Sequence, residues 1–268
     1  MNRQRPPAVA GMFYPRDPAE LAATVDALLA AVAQDLSGVA EPGPPVALVV
    51  PHAGYHYSGR TAAAAYVQLR PWSHAIRRVV VVGPAHRVAL RGLGLSSADT
   101  FATPLGAVRV DHDACSALLT NPAVSINDDT HRLEHSVEVQ LPFLQRVLGD
   151  TWALVPVVAG TVNAPNVADA FADLWGAPQT LFVISTDLSH YHDLATTRRL
   201  DRATAATIVA AGWETLGSDD ACGAAPVRGA LELARRNGEH VRLVELSTSA
   251  DAGGPTDHVV GYGSFVVR

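Results

Sequence analysis

The chain is short of cysteine: Cys115 and Cys222 are the two thiols among 268 residues. That excludes a disulfide-rich scaffold, and a Cys115–Cys222 bridge is not expected in a chain that reads as cytosolic. Charge is also sparse, at 17% of residues with a formal net charge of −6 at pH 7. No basic cluster is present that could neutralise a phosphate backbone, so nucleic acid is not an expected partner. The apolar stretches break off well before the roughly 18 to 20 residues that a membrane-spanning helix needs. The opening Met-Asn-Arg-Gln-Arg-Pro-Pro lacks the apolar core of a signal peptide, which makes a cytoplasmic location the expectation. Several familiar signatures are missing too. There is no Gly-x-Ser-x-Gly elbow, no phosphate-binding Gly-x-x-x-x-Gly-Lys-[Ser/Thr] loop, no His-Glu-x-x-His and no Gly-x-Gly-x-x-Gly leading from a strand into a helix, which weakens the case for serine hydrolysis and nucleotide binding.

What is present is a globular composition, 48% hydrophobic, in a length that suits one large α/β domain spanning 1–268. Asp17-Pro18-Ala19-Glu20 has the N-cap, the first-position proline and the Glu of a helix start. Leu21, Val25, Leu28, Leu29 and Val32 then recur at helical spacing, and the Gly/Pro stretch 38–45 ends that helix. Short Val/Leu/Ile runs at 46–50, 78–82, 152–158 and 180–185 alternate with helical segments at 59–69, 112–119, 135–147 and 164–175. Such runs read as strands of a mostly parallel, mixed central sheet flanked by helices. Segments 92–97 and 106–110 suggest a β excursion or hairpin. Further helices near 195–210 and 224–237 precede closing strands near 241–248 and 258–267.

Three histidines stand where such runs give way to turns: His52 after 47–51, His86 after 79–85, and His190 after 181–187. Ligands of open α/β sheets bind outside the carboxyl ends of the strands, so these imidazoles are expected to converge. Two imidazoles from neighbouring strand ends suit a divalent transition metal, which normally takes a third protein ligand and keeps a position open. Candidates for that ligand are Asp187, Glu134, Glu138, another histidine, or Cys222, whose place just before a helix favours its thiolate. Asp187 and His190 share one loop, where the carboxylate can orient the imidazole as a general acid/base. Glu134-His135-Ser136-Val137-Glu138 is expected to open a helix with His135 and Glu138 on one face and His135 available to line the pocket. Among the remaining histidines, His131 and His192 are the ones expected nearest the pocket.

Taken together, Pro51-His52-Ala53-Gly54-Tyr55, Gly83-Pro84-Ala85-His86, Glu134-His135-Ser136-Val137-Glu138, Ser185-Thr186-Asp187-Leu188-Ser189-His190 and Cys222-Gly223 followed by Pro226, with Arg5-Pro6-Pro7 through Tyr14-Pro15 at the start, resemble the Memo family. Its bacterial members are called AmmeMemoRadiSam system protein B. The resemblance implies a fold like that of the class III extradiol ring-cleavage dioxygenases. It implies a metal site at His52, His86 and Cys222, with His190, Asp187 and His135 as catalytic candidates. Iron(II) is the expected metal, with copper or zinc as alternatives. Sulfur in place of a carboxylate is a departure from the usual two-histidine, one-carboxylate iron set. The implied activity is a redox or oxygen-dependent reaction on a small molecule. The alternative is a non-catalytic protein that binds a peptide or a radical-SAM partner.

Overall fold

The computed structural model describes residues 3–35 and 43–268, and most of the 38–45 stretch lies outside them. The elements in chain order are β1 (Gln4–Arg5), α1 (Pro18–Asp35), β2 (Ala47–Val50), α2 (Tyr55–Tyr66), β3 (Arg78–Pro84), β4 (Leu93–Leu95), β5 (Thr100–Thr103), β6 (Gly106–Arg109), α3 (His112–Leu118), β7 (Val124–Ile126) and α4 (Asp128–Arg132). They continue with α5 (Leu141–Leu148), β8 (Ala153–Ala159), α6 (Ala164–Phe171), β9 (Thr180–Ser185), β10 (His190–His192), α7 (Leu194–Val209), α8 (Ala224–Asn237), β11 (Val241–Thr248) and β12 (Val259–Val267).

A nine-stranded sheet carries the fold, in the order β10-β12-β2-β9-β3-β8-β4-β7, with β11 paired to β12. Its centre is parallel: β2 lies on β9, β9 on β3, and β3 on β8. Antiparallel pairings of β12 with β2 and of β4 with β8 make the sheet mixed on both flanks. The central strands are buried almost throughout, and largely apolar, because helices flank the sheet. Val79, Val80, Val81 and Val82 are all fully buried, which is why their sequence shows a continuous run rather than alternation. The buried hydrophobic cluster extends from Val9 to Val267.

Two local expectations are corrected. Residues 92–97 do not form a hairpin with 106–110; the hairpin is β5 with β6, and β4 instead joins the main sheet beside β8. The apolar residues of Leu93–Leu95, fully buried, drew that segment into the core. Helix α5 starts at Leu141, not near 135, because Pro142 sits in its first turn and the preceding residues form turns and a single 3-10 turn over Glu138–Gln140.

That irregular segment is anchored by the N-terminus. Arg5 is buried and donates to the carbonyls of His131 and Glu134 and to the Glu138 carboxylate. Glu138 also accepts the backbone N–H groups of Ala8 and Val9 and the Tyr14 hydroxyl. His135 and Glu138 therefore do not share a face: Glu138 is a fully buried structural acceptor. Replacing it with alanine strands the Arg5 charge and two backbone donors in the interior. Glu138→Ala is expected to lose about 3–5 kcal/mol of unfolding free energy, read as a lowered urea midpoint at constant m-value; a midpoint within error of the wild type would contradict this assignment.

Candidate metal centre

Because β2, β9 and β3 run parallel and side by side, their carboxyl ends deliver three segments to one place. His52 follows β2, Asp187 follows β9, and His86 follows β3. The chain returns through Cys222, just before α8, where the Cys222 N–H donates to the Asp187 carbonyl at 3.2 Å and the Gly223 N–H to the Thr186 hydroxyl at 2.8 Å. Ligand atoms of His52, His86 and Cys222 lie within 4.8 Å of one another. Cys222 Sγ is 3.3 Å from His52 Nε2, and the His52 and His86 ring centroids are 5.0 Å apart.

Hydrogen bonding decides which nitrogens face the centre. The Ser185 hydroxyl donates to the Ser136 carbonyl at 2.6 Å and accepts from Gln140 Nε2 at 2.9 Å. With its proton committed, Ser185 Oγ can only accept from His52 Nδ1, which is 2.9 Å away. His52 is thereby fixed with its proton on Nδ1 and its lone pair on Nε2. Glu134 does the same for His86: one oxygen accepts Nδ1–H at 2.9 Å and the other the His86 backbone N–H at 2.6 Å. The Glu134 carboxylate also receives the N–H groups of His135 and Ser136. Glu134, His86 and His135 form a second group of the right proximity, but with four donors on it Glu134 is an orienting residue rather than a free ligand.

Burial sets the charges. Desolvation, helped by the neighbouring His86, lowers the His52 pKa to about 3, and desolvation with His52 beside it lowers His135 to about 4. Both rings are neutral at pH 7, so their lone pairs are available for bonding. Burial opposes ionisation of Glu134, yet its hydrogen bonds from His86 and the backbone prevail and hold its pKa below the usual carboxylate range. The Cys222 thiol is pushed up to about 12, first by burial and then by Asp187. This corrects the expectation of a thiolate favoured by the start of α8: the carboxylate and the loss of water outweigh the helix dipole, so in the absence of a cation the sulfur keeps its proton. The Asp187 and Thr186 groups around it make its contacts local, with the Asp187 N–H 3.3 Å from Sγ. Both cysteines are free.

The remaining candidates are distributed around this centre. Asp187 accepts the His52 backbone N–H at 2.7 Å, and burial raises its pKa. His190 opens β10, which pairs antiparallel with β12. His135 packs 4.8 Å from the His86 ring and 5.4 Å from the His52 ring, backed by Phe13 at 4.7 Å. His131 does not line the centre; it is buried with Nε2 on the Gly94 carbonyl. His192 is exposed. Ser185 and Gln140, which orient His52, carry no signal in the sequence beyond ending a strand and preceding a helix.

The model of the family described as Memo-like protein matches residues 5–266. A MEMO1 family protein of Thermoplasma volcanium is 32% identical, covering 98% of this chain and 97% of its own. One from Thermotoga maritima is 35% identical over 98% of this chain and 99% of its own. Among solved structures, an uncharacterized protein of Escherichia coli K12 shares the fold at a TM-score of 0.53 with 13% identity, covering 83% of this chain and 99% of that one. On these matches the chain belongs to the Memo family, with the class III extradiol dioxygenase-like α/β fold that membership carries.

Proposed function

We propose that this protein holds one transition-metal ion through His52 Nε2, His86 Nε2 and Cys222 Sγ, and that it uses this centre for a redox or oxygen-dependent reaction on a small molecule. The observation that carries the reading is the paired orientation of the imidazoles. Ser185 and Glu134 each bind Nδ1, leaving two Nε2 lone pairs beside one sulfur. Two imidazoles and a sulfur fit iron(II), with copper or zinc as alternatives, and a bound ion of this kind supplies electron transfer and an electrophilic centre with open positions. The Cys222 proton must leave when such a cation is taken up. A cytoplasmic setting suits the site because it keeps Cys222 reduced.

Around the metal ligands, Asp187 ties the His52 backbone in place, and His135 with Phe13 closes one wall against water. His190 is the acid/base: an imidazole carries a nitrogen that can take a proton from a bound hydroxyl and return it. A second reading, binding of a peptide or of a radical-SAM partner without turnover, draws on exposed apolar side chains beside the site residues. Tyr191, next to His190, is 63% exposed and stacks on His258, and Met12, next to Phe13, is 71% exposed.

Metal content of protein purified without chelators tests the first part. About one equivalent per chain is expected on the three-ligand reading, lost in Cys222→Ser and bound some 10–100-fold more weakly in Glu134→Gln, where the carboxylate that orients His86 is neutralised. Equal loading of Cys222→Ser would remove the sulfur from the ligand set. Oxygen uptake with a panel of catechols tests the second part. Metal-dependent uptake is expected to fall about 10²–10⁴-fold in His190→Ala at unchanged metal content, whereas no uptake by metal-loaded wild type favours the binding reading.

A further inference from the structure

A separate cleft of about 580 Å³ opens at the carboxyl end of β8, the strand next to β3. It is lined by two cations, Arg91 and Arg228, by the hydroxyls of Ser125 and Thr161 and by the amides of Asn163 and Asn166, with no acidic residue among them. Several arginines of this acidic chain meet carboxylates, as Arg5, Arg78, Arg146, Arg198 and Arg236 do. The described residues give Arg91 and Arg228 no such partner. Arg228 Nε is buried without a hydrogen-bond acceptor. Its guanidinium carbon lies 5.6 Å from the Trp213 ring centroid, a contact that steadies the group. A guanidinium with one donor withdrawn from water and left without an acceptor is costly, and an anion held in the cleft by its other N–H groups offsets that cost through its charge.

Both arginines stand on rigid supports. Arg91 is bridged to Thr161, with the Gly92 N–H on the Thr161 carbonyl at 3.1 Å and the Thr161 N–H on the Leu90 carbonyl at 2.8 Å. Arg228 precedes Gly229, where a Cβ would fall 2.3 Å from Val167; the bare backbone lets α8 press against α6. That contact sets Arg228 beside the start of α6, whose N-cap Asn163 also lines the cleft.

We propose that this cleft is an oxyanion site that takes the phosphate or carboxylate group of a small-molecule ligand between Arg91 and Arg228. Planar guanidinium forks match both anions through paired N–H donors. Calorimetric titration of the full chain with inorganic phosphate, and separately with acetate, tests this in wild type, R91Q, R228Q and R228K, with metal content measured alongside. Saturable binding of at least one anion is expected, weakened tenfold or more in R91Q and R228Q and less in R228K, at unchanged metal content. The tighter of the two anions assigns the ligand class. Absence of saturable binding in wild type overturns the proposal, and so does equal affinity in the arginine variants, the result if the anion sat on a metal ion instead. Because Arg91 is exposed, R91Q stays decisive if Arg228 proves necessary for folding, and failure here leaves the proposed metal centre standing on its own metal analysis.

Discussion

Adjacent parallel pairing of β2, β9 and β3 is the constraint on which the candidate centre depends. Val50 is in register with Ser185, and Val82 with Ile184, so the strands end level with one another. Neighbouring strands lie about 4.8 Å apart, which puts the exits of β2 and β3 about 10 Å apart. An imidazole reaching inward from each side closes that gap. Had β9 run antiparallel, its Ser185 and Asp187 would have left from the opposite edge, taking away the acceptor for His52 Nδ1 and the backbone anchor for Cys222.

Bringing several titratable groups into a buried place carries an electrostatic cost, and the local hydrogen bonds decide where it falls. Glu134 stays ionised because four N–H groups surround it, whereas Asp187, with fewer donors, is driven toward its neutral form by burial. His52 and His135 respond by remaining neutral. The result is a set of acceptors with lone pairs exposed and protons turned outward, which attracts a cation.

The sequence made the strand exits legible because buried parallel strands leave continuous Val/Ile/Leu runs, and His52, His86 and Asp187 stand directly after them. It also singled out Cys222, through its neighbours Gly223 and Pro226. The role of Glu134 was only half visible: a polar residue near a helix start explains its backbone contacts, but nothing along the chain shows that its carboxylate reaches His86 across 48 positions. Ser185 and Gln140 were hidden for the same reason, since their function arises from pairing between β9 and a segment 45 residues away. The β4 and α5 boundaries failed where tertiary burial and a proline overrode local periodicity.

Two glycines show why the motifs around the ligands are built as they are. A Cβ at Gly83 would lie 2.4 Å from Ser136 Oγ, and one at Gly223 would lie 2.7 Å from the Ser185 carbonyl. Neither distance is tolerable, so any larger residue would push the 134–136 turn off β3 or lift the start of α8 off β9. The first displacement would part Glu134 from His86 and the second would part Cys222 from His52. Each glycine therefore serves a ligand that it does not touch: the absence of a side chain lets the backbone close to the distance at which the orienting hydrogen bonds form.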